Sequence, residues 1–402
     1  MKKRFVLIML LLLLCTGVEF IKISLKDCLA LPNEFYVNYD EIQTANSEQQ
    51  FGKFVKLSIN DKQTSIDNNG SDENFVVVKL FGFIPVKKIK AKILPEEEVF
   101  VGGEVVGLAV SCDGTVVVSN CTIDESKGEM VKNNYFKNGD IISKIGQTDI
   151  SSLDDIQSAL KKQSDSQVKV EIVRNNHKLE QVVPLLKDKE GEYRLGIWGK
   201  DGMSGVGTLT FVKQNGLFGA LGHAITHGSS ENVIPVKDGK VYECNMVGIK
   251  KGQRNDPGEL RCVFVPKNAR GEIYKNTKQG IYGKLENTSG LIDHNLSAKL
   301  GGRLSIKPGK AKIVSCVSGI REEYEIEIIK ANYQNSIDEK SIVFRVIDNK
   351  LLNLTGGIVQ GMSGSPIMQN GKIVGAVTHV FLNDPTKGYG VYTDWMLSQL
   401  EM

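Results

Sequence analysis

Beyond Gly191 the chain consists of short β-branched segments separated by turn signals, and this pattern constrains the fold more than any other feature. Asp238-Gly239, residues 287–290 (NTSG) and Asn370-Gly371 are combinations typical of tight turns between strands. Strands do not alternate with long helices, and only residues 394–401 (DWMLSQLE) resemble a helix. The pattern argues against a parallel α/β fold and predicts a mainly β chain with an antiparallel barrel or sandwich.

The composition is that of a globular protein with two or three domains. The chain has 402 residues, of which 41% are hydrophobic and 24% are charged. Its 50 basic residues exceed its 47 acidic residues by 50 − 47 = 3, which is too near balance for a nucleic-acid-binding surface. The seven cysteines are scattered, without a Cys/His cluster at metal-ligand spacing, so we expect no metal site, no cofactor and no disulfide scaffold. Cys112 and Cys121 can face each other across a hairpin, although nothing in the sequence requires a bond between them.

The N-terminus has the pattern of an export signal. The basic start MKKR precedes an uninterrupted apolar run over residues 5–14. No clean cleavage site follows, and Cys15 follows Leu14, where a lipoprotein signal requires a small residue. The sequence therefore predicts an uncleaved signal anchor over residues 1–24, with the N-terminus inside because the positive charge precedes the apolar run. The alternative is a buried N-terminal helix.

Residues 25–94 are predicted to form a spacer and a leading strand. Residues 39–74 are rich in Asn, Gln, Ser, Asp and Glu and lack apolar periodicity, which is typical of a solvated spacer. Residues 75–94 are apolar and β-branched, which predicts a strand that packs on the part of the chain that follows.

Residues 95–187 are compact and mixed, and they predict an α+β domain. The segment GDIISKIG is followed by a helix candidate, and Ser151 and Ser152 precede Asp154 and Asp155 in a capping arrangement. Two strand candidates, separated by a turn at residues 175–176, complete the segment. This order resembles a PDZ domain of the kind associated with bacterial proteases.

The PDZ resemblance implies a groove that binds peptide termini. In such domains a glycine-containing loop offers backbone N–H groups to a terminal carboxylate, and the peptide extends a sheet edge beside the helix. By resemblance, the loop is residues 103–108, and Leu160 lies near the groove. The residues implied in peptide binding are Gly103, Val105, Gly107, Leu108, Leu153 and Ile156. Alternatively, the glycines only form a turn and the apolar helix residues belong to the core.

The segment QGMSGSP at residues 360–366 is the best candidate for a nucleophile. A nucleophilic serine must lie on a tight turn where backbone N–H groups converge on a developing oxyanion, and flanking glycines permit that approach. Ser363 fits this position. The alternative is an ordinary Gly/Ser turn with Ser363 and Ser365 exposed.

A serine hydroxyl requires a base, and imidazole has a suitable pKa. The small, apolar segment LFGALG runs directly into His223, which can position its ring, whereas His177, His227 and His294 lie in turns or loops. We therefore predict His223 as the base. His379 is the competing base, because it lies on the strand after the serine.

The order of these residues favours one class of peptidase. A histidine that precedes the serine is typical of chymotrypsin-like proteases, whereas α/β-hydrolases have the reverse order and place a glycine where this chain has Ser365. An acid is expected to orient the imidazole. Asp348, at the end of the strand candidate 342–347, and Asp293 are both candidates, and spacing does not separate them.

Four features together resemble the SpoIV B serine peptidases of endospore-forming bacteria. They are GALGHAIT around His223, TGGIVQGMSGSPI around Ser363, the PDZ-like segment and the single N-terminal anchor. The resemblance implies a catalytic triad of His223, Asp348 and Ser363 in a chymotrypsin-like antiparallel double β-barrel over residues 188–402. The N–H groups of Gly361 and Ser363 are expected to bind the oxyanion. By analogy with barrel proteases, the substrate pocket is edged by Thr378, His379 and Val380.

The resemblance also implies a biological role. Family members are made in the forespore and exported, so the chain is expected to be anchored in the space between the forespore membranes. They cleave themselves and a membrane-bound regulator, stage IV FA, and thereby trigger pro-sigma-K processing. The expected partners are protein substrates, peptide termini and the membrane, and not nucleic acid. The alternative function is a membrane-tethered, non-catalytic PDZ adaptor that binds peptide C-termini.

Overall fold

A computed structural model describes residues 31–38, 49–51, 55–59, 74–124, 129–175, 177–226, 232–332 and 338–400. The predicted anchor over residues 1–24 and His227 lie outside the described residues. Of the helices in the described part, none combines the length and the apolar character needed to cross a membrane.

The first strands form a five-stranded sheet. They are β1 (Glu34–Val37), β2 (Gln49–Phe51), β3 (Val55–Ile59), β4 (Asn74–Leu80) and β5 (Ile84–Ile93). Their order in the sheet is β1-β5-β4-β3-β2, and β1 pairs with β5 in parallel. Strands β2 and β3 fall within the predicted spacer, and the predicted leading strand is a hairpin of β4 and β5. Alternation of buried Ile89 and Ala91 with exposed lysines along β5 buries one face of this sheet.

The sheet is fixed to the rest of the molecule through Asn38. Its side-chain amide donates to the carbonyl of Leu300 at 2.8 Å. Its side-chain oxygen accepts from the Gly302 N–H at 3.2 Å and from the Ser305 hydroxyl at 2.9 Å. These bonds hold the sheet against residues 300–305, which precede the C-terminal strands.

Two strands follow, β6 (Val99–Val101) and the long β7 (Val105–Ser119). After β7 comes a separate folded segment, which we call the inserted unit (residues 120–197). Its elements are β8 (Cys121–Asp124), β9 (Glu129–Lys132), β10 (Ile141–Ile145), β11 (Thr148–Asp149), α1 (Leu153–Lys161), β12 (Gln167–Arg174), β13 (His177–Pro184), β14 (Leu186–Lys187) and β15 (Tyr193–Arg194).

The inserted unit has its own core and a capped helix. Apolar residues of β10, α1, β12 and β13 pack together in one cluster with Val117 of β7. The Ser152 hydroxyl accepts from the Asp155 N–H at 3.2 Å, and the Asp155 carboxylate accepts from the Ser151 N–H at 2.9 Å. The predicted capping arrangement is therefore present, and it sets the start of α1.

Six antiparallel strands then close on themselves in a ring that we call ring 1. Besides β7 it contains β16 (Trp198–Val212), β17 (Leu217–Ala220), β18 (Asp238–Lys250), β19 (Glu259–Thr277) and β20 (Gly280–Leu285). The pairs are β7–β16, β16–β17, β17–β20, β20–β19, β19–β18 and β18–β7. Apolar side chains from these strands fill the interior.

A second ring of six antiparallel strands, ring 2, lies towards the C-terminus. It follows β21 (Ser297–Leu300) and a 3-10 helix (Arg303–Ser305), and it contains β22 (Gly309–Ser315), β23 (Glu322–Ala331), β24 (Ile342–Val346), β25 (Pro366–Gln369), β26 (Lys372–Phe381) and β27 (Asp384–Tyr392). Helix α2 (Asn349–Thr355) lies between β24 and β25, and α3 (Thr393–Leu397) follows β27. The pairs are β22–β23, β23–β24, β24–β27, β27–β26, β26–β25 and β25–β22.

The prediction of a mainly β chain is confirmed. The strand pairing crosses the boundaries predicted for the PDZ segment. Strand β7 lies within the segment predicted as a PDZ domain (residues 95–187), but it pairs with β16 and β18 as the first strand of ring 1. A β-branched segment has the same local pattern in either domain, and only its distant pairing partners decide where it belongs.

Candidate active site

The turn between α2 and β25 holds Ser363 in a fixed conformation. The Gly364 N–H donates to the Val377 carbonyl at 2.7 Å, and the Ser365 N–H donates to the Met362 carbonyl at 2.9 Å. Gly364 has φ +99°, and a Cβ on it would lie 1.9 Å from the Thr208 carbonyl oxygen. Glycine is therefore required beside Ser363, as the sequence pattern predicts.

Two backbone N–H groups of this turn have no acceptor. Among the described residues, neither the Gly361 N–H nor the Ser363 N–H donates a hydrogen bond, although their neighbours in the turn do. Unpaired N–H groups on a tight turn are available to a negatively charged oxygen. These are the two groups that the sequence assigned to the oxyanion.

His223 follows the end of β17 at a sharp bend. Leu221 and Gly222 both have positive φ, +66° and +70°. A Cβ on Gly222 would lie 3.0 Å from the Thr378 methyl carbon, so the bend packs closely on β26 of ring 2. The segment GALGH thus carries the histidine from the edge of ring 1 towards ring 2.

The contacts of the His223 ring define its basic nitrogen. Its Nδ1 lies 2.9 Å from the Ala224 carbonyl oxygen. A carbonyl oxygen can only accept, so Nδ1 carries the proton and Nε2 of the neutral ring is basic. Burial, and then the positive charge of a protonated His379, lower the pKa of His223 below its ordinary value of 6.5, against the opposing effects of the Ala224 carbonyl and Glu339.

Thr208 of β16 joins the histidine segment to the serine turn. Its N–H donates to the Ser363 carbonyl at 2.8 Å, and its hydroxyl donates to the Gly361 carbonyl at 2.8 Å. Its own carbonyl accepts from the Leu221 N–H at 3.2 Å. One residue of ring 1 therefore sets the position of both segments.

Ser363 and His223 line the same cavity of about 630 Å³ between the two rings. The residues predicted to edge the substrate pocket, Thr378, His379 and Val380, line it as well. The Ser363 hydroxyl donates to the Thr378 carbonyl at 2.7 Å. Ser365, by contrast, is fully buried, so only Ser363 of the two serines is presented to the cavity.

His379 and Glu339 are in polar contact beside His223. The His379 Nε2 lies 2.8 Å from a Glu339 carboxylate oxygen, and the ring centroids of His379 and His223 are 5.0 Å apart. Burial alone would raise the pKa of Glu339, but the hydrogen bond and charge of His379, together with the charge of His223, lower it. Glu339 is therefore the carboxylate that the structure brings towards the two imidazoles.

Neither predicted acid contacts His223. The Asp348 carboxylate accepts from the Leu351 N–H at 3.0 Å and from the Glu325 N–H at 3.3 Å, so it caps α2. Asp293 accepts from the Asn295 N–H at 2.9 Å in the loop between β20 and β21. The structure does not bring Asp348 together with His223 and Ser363, and its role as the orienting acid stays a prediction.

A second cavity, of about 560 Å³, lies on the inserted unit. Leu153, Ile156 and Leu160 of α1 line one side of it, and residues 194–199 line another. In the described part of the chain, the N–H groups of Leu195, Gly196 and Ile197 have no acceptor. Together they form a loop of unpaired donors beside a helix.

The other residues predicted for the peptide groove lie elsewhere. Val105, Gly107 and Leu108 are on β7 in ring 1, where Gly107 packs against the Phe264 ring. Gly103 packs against Val314 of ring 2. The loop of unpaired donors is instead formed by residues 194–197. These residues end the inserted unit, whereas residues 103–108 precede it. The helix residues of the prediction line the cavity, whereas the loop residues do not.

Sequence reasoning missed Glu339 and the loop of residues 194–197. Glu339 lies in a polar segment without a motif, and only the fold brings it to His379. The segment RLGIW at residues 194–198 did contain a signal, a glycine between apolar residues directly before a strand. Among the described residues, no group of His, Cys, Asp or Glu side chains is arranged to hold a metal ion.

Comparisons with known proteins give one family match. The protein-family model for SpoIVB peptidase S55 matches residues 191–397, more than half of the chain. This match contains His223, Ser363 and every strand of the two rings except β7. No curated protein matches the chain. Among solved structures, the PDZ domain of the SdrC-like protein from Listeria monocytogenes is 20% identical over 22% of this chain and 90% of that chain, with a TM-score of 0.18.

Proposed function

The chain belongs to the SpoIVB peptidase S55 family and is a serine peptidase of sporulation, and on this premise we propose that it cleaves peptide bonds through a covalent ester on Ser363. The observation that carries the proposal is the cavity between the rings. It is lined by an accessible serine on a turn with two unpaired N–H groups and by a histidine whose basic nitrogen is defined.

The two rings correspond to the double barrel of a chymotrypsin-like peptidase in this proposal. Numbered along the chain, the strands of each ring pair in the order first, second, third, sixth, fifth, fourth. His223 follows the third strand of ring 1, and Ser363 lies between the third and fourth strands of ring 2. The equivalent connections of two similar rings thus meet at one cavity, which supports a site shared between them.

The first chemical step transfers a proton from Ser363 to His223. The Ser363 hydroxyl rotates away from the Thr378 carbonyl towards Nε2 of His223, which accepts the proton as Oγ attacks the substrate carbonyl carbon. The Oγ–C bond forms, and the carbonyl electron pair moves to the oxygen. The N–H groups of Gly361 and Ser363 stabilise that oxyanion. His223 then donates its proton to the amine as the C–N bond breaks, and water hydrolyses the ester by the same route.

Two assignments compete for the acid that stabilises the imidazolium. Family resemblance assigns this role to Asp348, whereas the contacts support the Ala224 carbonyl and, through His379, the Glu339 carboxylate. A carboxylate near a charged imidazole favours the charged form, so Glu339 can act across His379 without touching His223. We assign the electrostatic role to Glu339.

The proposed substrates follow from the family resemblance. They are the chain itself and a membrane-bound regulator of the stage IV FA type, whose cleavage triggers pro-sigma-K processing. In this proposal the chain is exported from the forespore and held at the membrane by residues 1–24. The cavity on the inserted unit binds a peptide terminus, with residues 194–197 donating to its carboxylate. This supports a peptidase that recruits protein substrates at a second site.

A fluorophosphonate probe tests the proposed nucleophile. The probe reacts only with an activated serine, and we expect the intact chain to gain one probe mass. Peptide mapping should place the probe on Ser363, and Ser363→Ala should remain unlabelled. Ser365→Ala is the matched control, and it should be labelled as the parent is. A probe on another serine, or no labelling of a folded chain that cleaves peptides, contradicts the assignment.

The cavity on the inserted unit also favours a second candidate function, that of a membrane-tethered adaptor. An adaptor binds peptide C-termini without turnover. Binding of a peptide with a free C-terminus, measured beside the probe reaction, separates the two functions. Binding without any serine labelling supports the adaptor, and labelling of Ser363 supports the peptidase.

A further inference from the structure

The hairpin of β4 and β5 ends in an exposed apolar tip. Phe81, Phe83 and Ile84 at this tip are 38%, 72% and 42% exposed. The two phenylalanine rings lie near each other, with centroids 6.4 Å apart. Apolar residues normally avoid such a position, and three of them together mark an interaction site.

The turn at this tip holds an aromatic residue, Phe81, in a backbone conformation that is unfavourable for bulky side chains. Phe81 has φ +56° and Gly82 has φ +81°, and the Phe83 N–H donates to the Leu80 carbonyl at 3.3 Å. Asparagine or aspartate is the favoured residue before glycine in such a turn, since positive φ is unfavourable for a bulky side chain. The strain at Phe81 is thus tolerated at a site where an aromatic ring is exposed.

The charge of the hairpin is of one sign. Residues 75–95 contain five lysines and neither aspartate nor glutamate. Lys88 and Lys90 are exposed on β5 and alternate with the buried residues Ile89 and Ala91. An aromatic tip on a basic hairpin is complementary to an anionic lipid surface, in which rings enter the interface and lysines contact the headgroups.

The path of the chain points to the same surface. The first described residue, Leu31, lies against the hairpin, since its carbonyl accepts from the Lys87 ammonium group. Only residues 25–30 separate Leu31 from the proposed anchor, and these span at most about 25 Å when extended. A membrane that holds the anchor therefore lies within reach of the hairpin.

From these observations we propose that the tip of the β4–β5 hairpin inserts into the interface of an anionic bilayer. The partner is a lipid surface rather than a second protein, because the patch is a narrow tip and not a groove. The proposal rests in part on the proposed anchor, and it adds a second contact that sets the orientation of the described part of the chain at the membrane. It does not depend on the chemistry of Ser363.

Tryptophan fluorescence in the full chain tests this contact. Phe83→Trp places a reporter at the tip, and Ile320→Trp is the matched control, since Ile320 is 65% exposed in the turn between β22 and β23 of ring 2. Each variant is bound to vesicles of phosphatidylglycerol and brominated phosphatidylcholine, and the emission of the parent chain is subtracted. We expect the Phe83→Trp reporter to shift to the blue and to lose about half of its emission or more, and the control to change little.

A charge variant tests the headgroup contact. In Lys88→Glu/Lys90→Glu/Phe83→Trp, we expect the vesicle concentration at half-maximal quenching to rise about tenfold, because each lysine near an anionic surface adds to binding.

Several outcomes overturn the proposal. One is a chain that floats with vesicles while the Phe83→Trp reporter stays unquenched, a result that leaves the anchor intact. Equal quenching of both reporters shows that the contact is not specific to the hairpin. A blue shift without lipid that depends on protein concentration assigns the tip to a second copy of the chain.

Discussion

Ring 1 and ring 2 pair their six strands in the same order, yet they differ in the connections between the strands. In ring 1 the first two strands are separated by the inserted unit, and the third strand runs through a sharp bend directly into His223. In ring 2 the first two strands are joined by a short turn, and α2 lies between the third strand and Ser363. The comparison shows that the shared strand order sets where the connections lie, whereas the residues of the connections, His223 and Ser363, form the candidate site.

The largest expected effect comes from removing either ring's contribution to the site. His223→Ala and Ser363→Ala should each lower kcat/KM by about 10,000-fold or more, and the double variant should be no worse, because the two groups act as a unit. Steady-state kinetics on a peptide substrate measures this, and Ser365→Ala should retain the activity of the parent. Additive losses in the double variant would show that the two rings do not share one site.

The two rings are also expected to differ in how sensitive they are to loss of a buried charge. The interior of ring 1 is lined by apolar side chains, but Arg303 and Asp394, which lie before and after the strands of ring 2, form a buried ion pair at 2.7 Å. Asp394→Ala should lower the free energy of unfolding by about 3–5 kcal/mol, since the Arg303 guanidinium stays buried but loses its carboxylate partner.

Denaturant unfolding measures this loss. Asp384→Ala, which breaks the surface pair of Asp384 with Lys387, is the control and should cost about 1 kcal/mol or less. A similar loss of unfolding free energy for both variants would show that the buried pair contributes no more to stability than a surface pair does.

Two substitutions within ring 2 separate the candidate acids. Glu339→Gln removes the charge that opposes the lowering of the His223 pKa. We expect kcat/KM to fall about tenfold at neutral pH, because the imidazolium loses a favourable charge. Asp348→Asn should leave kcat/KM within about twofold, since asparagine also caps a helix, whereas Asp348→Ala should lose about 1 kcal/mol of stability. An inactive, folded Asp348→Asn variant would instead identify Asp348 as the orienting acid.

The pH profile sharpens this test. His223 must be neutral to accept the proton, and its pKa is lowered, so the acid limb of kcat/KM should lie below pH 6.5. Glu339→Gln should move that limb to still lower pH. The unfolded chain, in which His223 has its ordinary pKa of 6.5, binds a proton more readily than the folded chain. The contribution of His223 to stability is therefore present above pH 6.5 and is lost as the pH falls from 6.5 through the lowered pKa of the folded state. An acid limb above pH 6.5 would contradict the buried, neutral state of His223.

The smallest expected effect tests how ring 1 positions the turn of ring 2. Thr208→Val removes the hydrogen bond to the Gly361 carbonyl and should cost about 1–2 kcal/mol of stability. It should also lower kcat several-fold, with little change in KM, because the oxyanion donors shift. Thr393→Val is the control, since Thr393 is equally buried and bonds the Ile373 carbonyl away from the cavity. Equal kinetic effects of both variants would show that Thr208 acts only through stability.

The sequence was sufficient to predict the parts that depend on local pattern. The serine turn, the histidine after an apolar strand end and the cap of α1 are all encoded within a few residues. The partners of β7, by contrast, depend on pairing across the inserted unit. Glu339, which precedes β24, meets His379 of β26 only because both strands belong to ring 2. The loop of residues 194–197 was missed because residues 102–108 have a similar glycine pattern. The local sequence does not show which of the two segments lies beside α1.

The position of the inserted unit also has a consequence for the timing of activity. Synthesis runs from the N-terminus, so β7 is made well before β16, and the entire inserted unit must be made between them. A contact between such distant segments forms slowly, and it forms sooner once the intervening segment has collapsed into its own fold and brought its ends together. Ring 1 is therefore expected to close after the inserted unit has folded, and the cavity between the rings is expected to form later still.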